Sequence, residues 1–131
     1  MLARALLLFM AAVSLEALAE RTIAVTMSDT MRYDPAEITV RAGENVRFVA
    51  TNKGMLVHEM VIGTRKQLED HAKHMREHPQ MQHHDHDGAL RLDPGKSGEM
   101  RYTFKRAGIF YYGCLEPGHF EAGMIGKVVV Q

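Results

Sequence analysis

A period of two runs through most of this chain. Ile23, Val25 and Met27 alternate with smaller or polar residues in RTIAVTM (21–27), and Met100, Tyr102 and Phe104 alternate with Arg101 and Thr103 in GEMRYTF (98–104). EITV (37–40) follows Pro35, and Ala42-Gly43-Glu44 turns the chain into NVRFVATN (45–52). GIFYYG (108–113) and IGKVVVQ (125–131) complete the set. Alternation of this kind, with β-branched residues and Gly or Pro at the breaks, predicts short strands stacked as an antiparallel sandwich. One segment departs from it. TRKQLEDHAKHMREH (64–78) has neither Gly nor Pro, is rich in helix formers and stops before Pro79, which predicts a helix of about three turns. PQMQHHDHDG (79–88) then reads as a polar loop. The expected fold is all-β, one β-sandwich with a helical, His-rich excursion around residues 64–88.

A chain of 131 residues suits one domain with a single core. Its first residues stand outside that core. Arg4, the apolar run ALLLFMAAV and the small-x-small Ala17-Leu18-Ala19 read as a signal peptide over 1–19, leaving a mature domain at 20–131. The apolar run falls short of the ~20 residues that a membrane span needs, and Glu16 interrupts its far end. The expected product is exported, soluble and periplasmic, with no membrane association after cleavage. Formal charge is +0 before histidine titrates, so no basic excess favours nucleic acid. The single cysteine can form no disulfide within the chain, and a thiol in an oxidising compartment must be buried or occupied.

The densest chemistry lies in YGCLEPGHFEAGMIG (112–126), where Cys114, His119 and Met124 recur with four residues between them. His58 lies far upstream in MLVHEMVIG (55–63). One thiolate, two imidazoles and a weak thioether are the donor set of an electron-transfer copper site. Pro117-Gly118 is a turn pair, and Gly113, Gly123 and Gly126 allow the loop to double back. Cys114 is in phase with Phe110 and Tyr112, and His58 with Leu56, Met60 and Ile62, so both are expected to point between the sheets. Plainer readings exist for each residue alone: a buried structural thiol, a core methionine, a satisfied core histidine. A Cys–His hydrolase would need an orienting third group and an oxyanion-hole motif, neither of which is evident.

These residues carry a resemblance. The Pro35…Ile38…Val40…Gly43 opening, Asn52 ahead of His58, and the closing run from Tyr112 to Val130 resemble the cupredoxin family of plastocyanins, azurins and pseudoazurins. The resemblance implies a Greek-key sandwich with one type 1 copper near one end. His58, Cys114 and His119 would be its equatorial ligands and Met124 the axial one. The dinuclear copper domain of cytochrome oxidase needs two cysteines, and a lone cupredoxin with saturated ligands offers no open position for substrate, so no enzymatic activity is expected. One position departs from the family. Many members carry Asn directly after the first histidine; here it is Glu59, which when ionised accepts hydrogen bonds but cannot donate them.

Six of the eight histidines lie between residues 71 and 86. On the expected helix, His71, His74, Met75 and His78 share one face, and Met81, His83, His84 and His86 follow in the loop. Imidazole and thioether both bind copper, so this segment is a candidate for additional copper, against a plain solvated helix and polar loop. The combination resembles periplasmic copper-tolerance cupredoxins of the CopI type. That implies copper binding and redox handling in copper tolerance, with electron-transfer capability and a redox protein partner. The alternative is a soluble electron shuttle of the plastocyanin and pseudoazurin kind. A pure copper chaperone would not need Cys114.

Overall fold

The computed structural model describes residues 19–81 and 88–131. Nine strands and one helix follow in chain order: β1 (Arg21–Ser28), β2 (Arg32–Asp34), β3 (Glu37–Val40), β4 (Asn45–Asn52), β5 (His58–Gly63), α1 (Arg65–Glu77), β6 (Ala89–Leu92), β7 (Ser97–Thr103), β8 (Gly108–Gly113) and β9 (Ile125–Val130). They form two sheets, ordered β2-β1-β4-β7 and β3-β9-β8-β5-β6. The sandwich expected from the alternation is there, with β2, β5 and β6 as additional strands: β2 and β6 are too short to show a period, and β5 does not alternate.

Strand direction is where the structure differs from the expected antiparallel arrangement. β1 runs parallel to β4, and β3 runs parallel to β9. After the β1–β2 hairpin the chain crosses to the other sheet as β3, then returns as β4 beside β1. That crossover forces the parallel pairs. Alternation reports which face a side chain takes and carries no information on strand direction.

The inward residues form one core between the sheets, with Val25, Met27, Val46, Phe48, Met60, Tyr112 and Val128 buried. β5 does not alternate: five of its six residues are buried. Its outer face is covered by α1, whose Leu68, Ala72 and Met75 pack with Val61 and Leu115 in a second apolar cluster. This helix begins on a capping box. The Thr64 hydroxyl accepts from the Gln67 amide at 3.3 Å, and the Thr64 amide donates to Gln67 Oε1 at 2.8 Å. It ends where His78 N–H donates to His74 O at 2.9 Å, one residue before a proline that cannot extend it. Arg76 pairs with Glu121, joining the far end of α1 to the loop between β8 and β9.

Tyr112 sets the packing at the centre of the second sheet. Its ring is buried, makes an edge contact with Tyr33 at 5.0 Å between centroids, and its hydroxyl donates to Pro35 O at 2.5 Å. Gly126 lies opposite Tyr112 in register, and a Cβ there would sit 2.0 Å from the ring. Gly126→Ala is therefore expected to destabilise the domain by about 1–3 kcal/mol, the usual cost of overpacking a filled core. Denaturant unfolding of the metal-free protein measures it, and an unchanged midpoint would show that the ring moves aside freely.

Candidate metal centre

His58 opens β5, and Cys114 follows the last residue of β8. Because β5 and β8 are paired neighbours, the two residues meet at the same end of the sheet. The β8–β9 loop brings the rest. His119 N–H donates to Glu116 O at 3.0 Å, with Gly118 at φ +87 between them, so the expected Pro117-Gly118 turn is formed. Met124 N–H then donates to His119 O, and Cys114 N–H to Met124 O, each at 3.1 Å. The loop is thereby closed, and Met124 is fully buried beside Cys114 and His119 in the backbone ladder.

The donor atoms of His58, Cys114 and His119 all lie within 4.8 Å of one another. Cys114 Sγ is 3.3 Å from His119 Nδ1 and 4.0 Å from His58 Nδ1, and the two imidazole rings are 5.1 Å apart. His58 and Cys114 are buried, and His119 is partly exposed. A soft sulfur and two nitrogens gathered this tightly fit a copper ion. Phase placed Cys114 as expected, but the phase argument for His58 used Leu56, which is exposed. The inward direction of His58 comes from β5 beginning at that residue.

Burial pushes the Cys114 thiol up to about 12, although the Glu59 amide donates to Sγ at 3.3 Å and favours the thiolate. The metal-free protein therefore holds a neutral thiol at neutral pH, and metal uptake must release that proton. Burial, and next the neighbouring His58 imidazole, hold His119 below its ordinary range. A neutral imidazole is the form that binds metal.

Glu59 stands on the other side of the sulfur. The residue is 2% exposed, and its carboxyl is raised to about 7, chiefly by burial and then by Glu116. Arg91 Nε, 3.8 Å from Glu59 Oε1 and 3.0 Å from Glu116 Oε1, and a hydrogen bond to the Leu115 backbone act against that rise. The Glu59 carbonyl accepts from the Tyr33 hydroxyl at 2.5 Å. Asn52, fully buried, holds the loop ahead of His58 by donating to Leu56 O at 2.8 Å and Leu92 O at 3.0 Å.

One participant carried no signal in the sequence. Asp29, in the turn between β1 and β2, places Oδ1 2.9 Å from His58 Nε2. The turn sequence Ser28-Asp29-Thr30 is ordinary, and only the fold brings it over the histidine.

The His/Met excursion is partly gathered. His74 Nε2 lies 3.1 Å from Met81 Sδ, and the His74 and His78 rings are 4.7 Å apart. Met75 is a correction to the expected face: it is 3% exposed within the apolar cluster under α1. Leu68, Ala72 and Met75 form the buried stripe, and a thioether there gains about 1.5–3 kcal/mol from burial. His71 is half-buried one turn earlier. His83, His84 and His86 lie outside the described residues, as does the proposed signal sequence up to residue 18.

Comparison with known proteins gives a consistent picture. Residues 19–131 match the family model for copper binding proteins of the plastocyanin/azurin family. A copper-resistant cuproprotein CopI of Rubrivivax gelatinosus is 59% identical over 113 residues, covering 86% of this chain and 68% of the relative. A protein of the same name from Pseudomonas aeruginosa is 36% identical over 141 residues, with 86% and 77% covered. Among solved structures, auracyanin A, a blue copper protein of Chloroflexus aurantiacus, superposes with a TM-score of 0.72. It shares 22% identity over 86% of this chain and 100% of its own, a likeness of fold.

The raised Glu59 carboxyl has a measurable consequence. Its ordinary value is 4.5 and its folded value about 7, so the folded state binds the proton more tightly than the unfolded state. The resulting stabilisation is complete below the unfolded value and is lost as pH rises to the folded one, at most about 3 kcal/mol by linkage. The metal-free protein should lose this stability between about pH 4.5 and 7, and Glu59→Gln should not. His119, whose folded value is lowered, contributes an opposite slope to both proteins, so the difference between their pH–stability curves isolates Glu59. Parallel curves would contradict the assignment.

Proposed function

This chain belongs to the plastocyanin/azurin family of copper-binding proteins, and we propose that it acts in copper tolerance by binding copper and handling its redox state. The observation that carries copper binding is the convergence of Cys114 Sγ with the Nδ1 atoms of His58 and His119 at the end of the sandwich. In this reading those three residues are the equatorial ligands and Met124 the axial one. Bound copper supplies a one-electron couple between Cu(II) and Cu(I). The protein supplies a largely buried set of donors, a fixed pair of loops and a hydrogen bond to sulfur, which together limit rearrangement between the two states. Catalysis on a substrate is not part of the proposed role.

The tolerance role is supported by the copper-resistant cuproproteins to which the chain is similar. The His74, His78 and Met81 group supports it independently, since two imidazoles and a thioether at the surface suit additional copper in the reduced state. A shuttle delivering electrons to a redox protein is the second reading. The partly exposed His119 favours it, as the one proposed ligand that reaches the surface. Export belongs to the same proposal: residues 1–19 would be removed and the domain 20–131 would work in the periplasm. Among the described residues, no helix is long and apolar enough to cross a membrane.

The mature protein with Cu(II) should be intensely blue or green through sulfur-to-copper charge transfer, and Cys114→Ala should be colourless. Met124→Leu should keep copper and raise the reduction potential, because loss of a weak donor disfavours Cu(II). In a copper-sensitive host, Cys114→Ala should fail to protect. A colourless wild-type complex would refute the centre.

The surface group separates the two roles. His74→Gln/His78→Gln/Met81→Leu should bind less total copper, keep the visible spectrum and protect cells less well. Equal copper content and equal protection would make electron shuttling the better account.

A further inference from the structure

His58 offers a metal only one of its two nitrogens. Nδ1 faces Cys114 Sγ, and Nε2 faces Asp29 Oδ1 at 2.9 Å. An ionised carboxylate can only accept, so Nε2 must carry a hydrogen, which leaves Nδ1 as the nitrogen available to a metal. We propose that Asp29 is a positioning residue for copper, fixing the His58 ring with Nδ1 free and biasing the centre toward Cu(II). This rests on the copper reading above and adds to it a residue from outside the ligand loops.

Two independent features show that the contact is built in. Asp29 lies in the turn between β1 and β2 of the sheet opposite β5, yet its carboxylate also accepts from the Met55 amide at 2.7 Å and the Leu56 amide at 3.3 Å. It therefore fastens the loop that precedes His58 as well as the ring itself. Two backbone amides and the His58 ring nitrogen thus face one carboxylate, an arrangement of donors that an acceptor satisfies. Gly54 makes the approach possible. A Cβ at that position would stand 1.9 Å from Asp29 Oδ1, so any side chain there would push the carboxylate away. The Gly54 amide donates to Asn52 Oδ1 at 2.9 Å, which sets the turn that leaves this opening.

A carboxylate behind a ligand imidazole makes the imidazole a stronger donor, and removing such a partner weakens metal binding about 10–100-fold. The added electron density and the negative charge both favour the more highly charged ion. Cu(II) affinity should therefore fall further than Cu(I) affinity when Asp29 is neutralised. Each tenfold excess in that loss raises the potential by about 59 mV for a one-electron couple.

The test compares Asp29→Asn and Asp29→Ala with wild type, with Asp70→Asn removing one charge from the exposed face of α1 as a control. Asp29→Asn keeps one acceptor oxygen while it removes the charge and turns the other oxygen into a donor, and it fills the same space, so it stays informative if Asp29→Ala folds poorly. Expected are a raised potential and at least tenfold weaker Cu(II) binding in Asp29→Asn, with Asp70→Asn close to wild type. Nitrogen NMR of the metal-free protein should show His58 protonated on Nε2 in wild type and lose that preference in Asp29→Ala. A wild-type potential in Asp29→Asn, an equal shift in Asp70→Asn, or a wild-type His58 protonated on Nδ1 would each overturn the proposal. Failure of wild type to take up copper would instead refute the functional reading, and the NMR result would still decide what Asp29 does to the ring.

Discussion

The hydrogen bond from Cys114 N–H to the Met124 carbonyl is the contact on which the site depends. It continues the β8–β9 ladder one step past Gly113 and Ile125, so the intervening loop leaves and returns at a fixed separation. Everything between those residues is short and internally bonded, and His119 has little freedom to move away from Cys114. The sheet thus does for the ligand loop what a covalent link would otherwise have to do. His58 arrives on β5, the strand paired to the other side of β8, so all three donors are referenced to the same strand.

Desolvation is the opposing force. Cys114 and His58 are fully buried and Glu59 nearly so, in a largely apolar core that also holds the fully buried Asn52. Arg91 and the Leu115 backbone reduce the cost of Glu59, and a backbone amide partly satisfies the sulfur. The remaining penalty is held as neutral thiol and a carboxyl that protonates readily. An incoming cation relieves both, since it replaces the thiol proton and brings positive charge near the carboxylate.

Much of this was legible from the sequence, for identifiable reasons. Strands packed on one face, such as β1 and β7, announce themselves through alternation, and copper needs side-chain types that are rare enough to be conspicuous when they cluster. β5 was harder to read because α1 covers its outer face and removes the polar half of the pattern. The parallel pairs were invisible because period two is the same in either direction. Met75 misled because a thioether serves equally as ligand and as core filler, and only its place on the Leu68–Ala72 stripe decides between them. Asp29 could not have been found, since nothing local marks a turn carboxylate that will meet a histidine on the opposite sheet.

The order of strands in the two sheets has one more effect. An open sheet exposes backbone donors and acceptors along its outermost strands, where another chain can add. Here β3 and β6 have four residues each and leave short borders on their sheet, while β2 covers only Thr26–Ser28 of β1, so the first half of β1 is also an open border. The remaining border, β7, is longer but carries Glu99 and Arg101, which pair with Arg47 and Glu20 across its surface. Short or charged borders of this kind offer little template for a second copy, and the open half of β1, which begins with Arg21, is where strand addition has most room.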